Sequence, residues 1–132
     1  MQKNMLKFIY NIYYRLYLSI VFLGEEWTPR FNAVVLMSFF FLLNCMTAHI
    51  FIYIAMPRFN FWVGNAKYYF VLIYFIFVIM NYYLILYKKK FVEIEKRHAV
   101  EDKKLKLYKN RNARIYCISS IILFASSLYN MK

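Results

Sequence analysis

The chain has 132 residues, which leaves room for one domain, and 63% of them are hydrophobic, against roughly 45–50% in an ordinary soluble domain. Eighteen Lys and Arg face six Asp and Glu, so the formal net charge is +12. No HExxH, GxSxG, CxxC or glycine-rich phosphate loop occurs, and Cys45 and Cys117 stand singly in apolar runs. We therefore expect a membrane protein that is not an enzyme, with no catalytic, cofactor-binding or metal site.

The first segment, 4–23, is amphipathic. Its polar side chains recur every four residues, as one stripe along a helix: Lys3, Lys7, Asn11, Arg15 and Ser19. Helices with a basic polar face lie in the headgroup region with the apolar side down. A signal peptide is disfavoured because Arg15 interrupts the apolar run and no cleavage site follows. In a spanning helix Arg15 would sit near mid-membrane at a cost of about 2.5–3.5 kcal/mol. We predict an interfacial helix, with a span as the open alternative.

Two long apolar runs follow. Residues 31–56, apart from a possible charge on His49, and residues 68–87 carry no formal charge. About 20 mostly apolar residues suffice to cross a bilayer as a helix. Gly24 is a plausible helix stop, and Thr28 followed by Pro29 is typical of an N-cap and a first helical position. We predict transmembrane helices over 29–56 and 68–87, joined by a short, aromatic-rich loop at the far membrane interface.

The polar residues of these two helices are predicted to lie between them, because polar groups in lipid turn toward protein. They are Ser38, Asn44, His49, Tyr74 and Asn81. Matching the midpoints of two antiparallel helices pairs Asn44 with Asn81 and His49 with Tyr74, as interhelical hydrogen bonds of roughly 0.6 kcal/mol each. The alternative is an ion or proton path along Asn44, His49 and Asn81, which is disfavoured because the helices hold one His and no acid.

Residues 88–114 are strongly basic and contain neither Gly nor Pro. Glu93–Arg97 and Asp102–Lys106 have the spacing of helix ion pairs. They predict a cytoplasmic helical hairpin with its apex near 98–102, in which the second span continues into 88–98 and His98 is a solvated tip residue. Eight basic residues are predicted to contact anionic lipid headgroups: Lys7, Arg15, Lys88, Lys89, Lys90, Lys109, Arg111 and Arg114. Nucleic acid is disfavoured as a partner, since few aromatic residues are interleaved with these charges.

A third uncharged run, Ile115–Asn130, predicts a basic helix over 102–130 that continues into a third span, short at roughly 24 Å. Its small side chains suit close helix packing: Ser119, Ser120, Ser126 and Ser127. The predicted fold is all-α and polytopic, with three transmembrane helices, an N-terminal amphipathic interfacial helix and a cytoplasmic helical hairpin extension.

The density of Lys and Arg predicts a cytoplasmic N-terminus and hairpin, with the C-terminus outside. Size and composition suggest a bacterial inner membrane. The first functional hypothesis is an accessory or immunity-type protein that binds another membrane protein or itself. The alternative is a self-associating pore, holin-like or a defence effector, although holins often carry their charges at a cytoplasmic C-terminus. A third hypothesis is a protein that binds anionic lipids. No small-molecule substrate is evident.

Overall fold

The computed structural model describes residues 2–24, 27–56 and 66–130. They form five α-helices in chain order: α1 (Gln2–Phe22), α2 (Pro29–Ala55), α3 (Ala66–Tyr82), α4 (Lys90–Ala99) and α5 (Lys103–Tyr129). A π-helical turn, Tyr83–Tyr87, lies between α3 and α4. The described residues include no strand, so the prediction of an all-α fold is confirmed. The predicted interfacial loop at 57–65 lies outside the described residues.

The helix boundaries follow from local chemistry. Gly24 ends the α1 segment with a φ of +85°, a left-handed conformation that glycine adopts without a Cβ clash. Its amide donates to the Val21 carbonyl oxygen at 3.1 Å. Thr28 is the N-cap of α2 by position, and Pro29 occupies the start of the helix, where a missing amide proton costs nothing. The Thr28 side chain makes no capping hydrogen bond.

Helix α2 is central to the fold, because it packs against α1, α3 and α5. The core is one cluster that joins Ile12 and Tyr13 of α1 to Ala33, Val34 and Met37 of α2, all with no exposed surface. On α1 five consecutive residues, 12–16, are buried. A helix with one free face cannot bury five residues in a row, since they cover more than a full turn. The middle of α1 is therefore surrounded by protein, and its predicted exposed polar face is wrong at this point.

Two helical stretches are long and apolar enough to cross a membrane, Pro29–Ala55 and Tyr68–Tyr87. Among the described residues α5 is not a third, which corrects the prediction of three spans. The reason is that the first half of α5 is basic, and its uncharged part is only roughly 24 Å long against a hydrocarbon core of about 30 Å. Only 11% of the most apolar window of Tyr68–Tyr87 is buried, whereas the core helix of a soluble protein is mostly buried.

The predicted continuous helix over 68–98 is interrupted. After the π-helical turn, Lys89 takes a left-handed conformation with φ 52° and ψ 25°, which costs a residue with a Cβ about 1–2 kcal/mol. The Lys89 amide donates to the Leu86 carbonyl oxygen at 3.0 Å. This break lets α4 change direction and return toward α1. The turn at 100–102 then separates α4 from α5.

Candidate functional site

A buried charge cluster connects α1 to the hairpin formed by α4 and α5. Arg15 Nη2 donates to Glu101 Oε2 at 2.7 Å, and the two side chains are only 6% and 5% exposed. The two residues are 86 positions apart in the chain. Arg15 is therefore held by a carboxylate inside the protein, and its predicted contact with lipid headgroups is wrong. Periodicity could not reveal this pair, because it reports only neighbours along one helix.

The other carboxylate oxygen of Glu101 is shared. Both His98 Nδ1 and Lys109 Nζ contact Glu101 Oε1. The imidazole of His98 also stacks on the ring of Tyr14, with centroids 4.6 Å apart and planes 15° from parallel. His98 is 6% exposed, so the prediction of a solvated tip residue is wrong. The cause is the direction of α4, which places Ile94 and His98, four residues apart, on its buried face.

The electrostatics of the cluster favour one charge state. Burial alone raises the pKa of Glu101, but hydrogen bonds from Lys109, His98 and Arg15 outweigh it and leave that pKa below its ordinary value. Burial lowers the pKa of His98, against the opposing effect of Glu101. Glu101 is thus ionised near neutral pH and His98 neutral. An ionised carboxylate only accepts hydrogen bonds, so His98 carries its proton on Nδ1 and donates it.

Arg15 is not fully satisfied by this arrangement. Its Nε and Nη1 atoms are buried and have no hydrogen-bond partner in the described part of the chain, and the same holds for Asn11 Oδ1 and the Tyr13 hydroxyl. Unmet buried donors cost about 1–3 kcal/mol each. Within residues 2–24, 27–56 and 66–130, no three His, Cys, Asp or Glu side chains meet in a way that could hold a metal ion.

Beside the cluster lies a pocket of about 280 Å³, here called the basic pocket. Its charged lining comprises Lys7, Lys90, Glu93, Arg97 and Lys109. Glu93 accepts from Lys90 at 2.9 Å and from Arg97 at 3.2 Å, so the pocket keeps a positive excess. These pairs are exposed, and water screens them.

A second contact between α2 and α4 holds the start of α2. Arg30 donates to both carboxylate oxygens of Glu95, at 3.0 and 3.2 Å, in the bidentate geometry that suits a guanidinium. The same guanidinium lies over the ring of Phe91, 4.4 Å from its centroid. The first turns of α2 are therefore joined to the basic hairpin rather than to lipid.

The predicted interhelical residues are brought together with different partners. Asn81 Nδ2 donates to Ser38 Oγ at 2.9 Å, and both side chains are fully buried between α2 and α3. Asn44 instead donates to the hydroxyl of Tyr116 on α5 at 2.7 Å, which replaces the predicted Asn44–Asn81 pair. Ser38 lies about one and a half turns before Asn44 on α2, and Asn44 contacts α5, a helix that the pairing of α2 with α3 alone leaves out.

The predicted His49–Tyr74 pair also has other contacts. The Tyr74 hydroxyl donates to the Val35 carbonyl oxygen over a long 3.5 Å, and the ring of His49 packs edge-on against Phe70, with centroids 5.9 Å apart. Tyr116 was not predicted as a contact residue; its one signal in the sequence is a phenol near the start of an apolar run.

The serines of α5 divide into two pairs. Ser120 and Ser127, one heptad apart, are buried, whereas Ser119 is half-buried and Ser126 exposed.

Of the eight basic residues predicted to contact lipid headgroups, five are exposed: Lys7, Lys88, Lys89, Arg111 and Arg114. Lys90 is half-buried beside Glu93, and Lys109 is half-buried beside Glu101.

Comparison with known proteins gives no match to a family model, to a curated protein or to a solved structure.

Proposed function

We propose that this chain is a small, non-enzymatic integral membrane protein that acts by binding another membrane protein through the outer face of α3. The observation that carries the proposal is a row of exposed apolar side chains at positions i, i+4, i+7 and i+11. Leu72, Ile76, Ile79 and Tyr83 form this row and are between 48% and 66% exposed. That spacing is the seam along which two helices pack.

The polar residues of the bundle support binding over conduction. Ser38 and Asn81 have no exposed surface, and the Asn81 amide nitrogen donates to Ser38, while Asn81 Oδ1 is buried with no partner among the described residues. A water-filled path would need polar groups that face an open lumen. The outer face of α3 is apolar and leaves association to side-chain packing, which drives helix contacts in lipid.

The proposed setting is a bacterial inner membrane that is crossed by α2 and by the stretch 68–87, with the N-terminus and the basic hairpin in the cytoplasm. The excess of Lys and Arg in 88–114 supports this orientation. We place the uncharged part of α5 in the same membrane as α2 and α3. This part is too short to cross, but it packs against α2. Its exposed residues include the apolar Ile118, Ile121 and Ile122 beside Ser126, while Ser120 and Ser127 are buried in the bundle.

The test is site-specific photo-crosslinking in the native host. A photoreactive phenylalanine analogue replaces Ile76 on the α3 row or, as the matched control, Ile122 on α5, which is similarly exposed at 57%. The expected result is a discrete heavier adduct from position 76, several-fold stronger than from position 122. It should disappear when Leu72 and Ile79 are both changed to Ala.

Two outcomes would contradict the proposal. An adduct from position 76 that is absent, or no stronger than that from position 122, would mean that no partner packs on the α3 row. An adduct at the mass of a dimer, together with rapid depolarisation of a potential-sensitive dye on induced expression, would replace binding of another protein with the self-associating pore.

A further inference from the structure

A groove between α1, α2 and α5 combines two chemistries. It encloses about 670 Å³, within the range of small-molecule sites. Its lining includes Arg15, Asn110 and Arg114, and also apolar side chains such as Leu36, Phe40 and Ile118. Along α5 the polar residues come first and the apolar ones follow. The groove is thus polar at one end of α5 and apolar toward the other.

A second groove on α5 adjoins the first and increases its positive charge. It shares Asn110, Arg114 and Ile118 with the first groove and adds Lys104 and Arg111. In the part of the chain that the structure describes, neither Arg111 nor Arg114 lies within ion-pair distance of a carboxylate. Glu101, the acid of the buried charge cluster, already contacts Arg15 and Lys109. The groove therefore offers a positive charge that no described side chain neutralises.

The depth of the groove relative to the hydrocarbon core indicates which ligand could fit it. Helix α2 has 27 residues and is about 40 Å long, roughly 10 Å more than a hydrocarbon core. Its first turns are bound to α4 through Arg30, so the excess length lies on the basic side. Leu36 and Phe40 then come near the border of the core. On α5 the last charge before the uncharged run is Arg114.

We propose that this groove binds one anionic phospholipid. The phosphate lies against Arg114, with Arg111 and Asn110 beside it, and an acyl chain lies against Leu36, Phe40 and Ile118. A phosphate accepts the bidentate hydrogen bonds that a guanidinium presents. A free anion would use the basic end alone, and a zwitterionic lipid would bring its own cation beside Arg111 and Arg114 and leave their net positive charge uncompensated. The proposal requires the membrane location given above but not the binding of a partner protein.

The test uses the full-length chain in a neutral detergent, with native mass spectrometry to count bound phosphatidylglycerol or phosphatidylcholine. One bound phosphatidylglycerol and several-fold weaker phosphatidylcholine are expected. Arg114→Gln should weaken phosphatidylglycerol binding about fivefold, as expected for one basic residue at a lipid headgroup. The matched control is Lys106→Gln, an exposed site on the same helix with the same loss of charge and no place in either groove's lining. It should change binding less than twofold.

A third variant separates a lipid from a free phosphate. Ile118→Trp fills the apolar part of the groove without changing any charge, and it should weaken phosphatidylglycerol binding while leaving the binding of inorganic phosphate, measured alone, unchanged. Far-UV circular dichroism checks that each variant stays helical. Equal losses in Arg114→Gln and Lys106→Gln, or full binding in Ile118→Trp, would overturn the site. Either result is independent of the cross-linking outcome on α3.

Discussion

Replacement of Glu101 by Gln should destabilise the protein more than any other change of a single charge in the hairpin. Gln keeps the shape of Glu and can still accept one hydrogen bond. It removes the only negative charge that the described residues place beside Arg15, whose side chain is 6% exposed. A buried cation would then be left without its counter-ion.

The size of the effect follows from burial. Removal of one partner of a buried ion pair costs about 3–5 kcal/mol. The lower end applies because Lys109 is 27% exposed, so water reaches one side of the cluster. A loss of about 3 kcal/mol is more than a hundredfold in the folding equilibrium.

The assay is reversible unfolding by sodium dodecyl sulfate in mixed micelles at pH 7.5, followed by far-UV circular dichroism. A double-mutant cycle adds Arg15→Met and the double variant. Arg15→Met alone should cost less, because Glu101 keeps Lys109 and His98. The double variant should be no less stable than Glu101→Gln, since it carries no stranded buried charge.

The matched control is Glu93→Gln. Glu93 also contacts two cations, Lys90 and Arg97, but its side chain is 55% exposed. Removal of its charge should therefore change the free energy of unfolding little. If Glu101→Gln and Glu93→Gln lower stability equally, or if the Arg15 and Glu101 effects simply add, then the cluster is hydrated and the reasoning fails.

Three further predictions concern pH, helix contacts and topology. Burial lowers the pKa of His98 in the folded protein, so the unfolded chain binds this proton more readily. The free energy of unfolding should therefore be full above the ordinary pKa of 6.5 and fall as the pH drops below it. His98→Gln should flatten that fall when the same unfolding measurement is repeated across this pH range. Asn81→Leu should lower the free energy of unfolding by roughly 0.6 kcal/mol. The loss is small because Ser38 still donates to the Val34 carbonyl oxygen at 2.8 Å. A loss above roughly 2 kcal/mol would indicate a larger polar network. A reporter active only outside the cytoplasm should give signal when fused after Gly64 and none after His98, and the reverse pattern would invert the proposed orientation.

Local signals predicted much of the fold. Pro29 and Gly24 mark helix ends whose chemistry depends only on adjacent residues, and α2 indeed begins at Pro29. The turn at 100–102 lies within the predicted apex of the hairpin. The long uncharged runs identify α2 and the stretch 68–87, since length and hydropathy are properties of one segment.

The candidate site could not be predicted in the same way. The pattern of α1 predicts that Arg15 contacts lipid headgroups, because the sequence of one amphipathic helix gives no information about an acid 86 residues away. His98 reads as solvated because the left-handed break at Lys89, which directs α4 toward α1, has no Gly to mark it. Ser38 of α2 bonds to Asn81 of α3, whereas Asn44 bonds to Tyr116 of α5, a helix that a pairing of the two long apolar runs does not include.

The distance along the chain between Arg15 and Glu101 sets the order of assembly during synthesis. At about 5–20 residues per second, the 86 residues between them take roughly 4–17 s to emerge. The N-terminal helix is made first, yet it can complete its docking only after the hairpin exists. Until then Arg15 lacks its carboxylate, and in the proposed membrane setting the headgroup surface suits both the basic and the apolar face of this amphipathic segment. A nascent chain that stops before residue 101 would keep α1 on that surface.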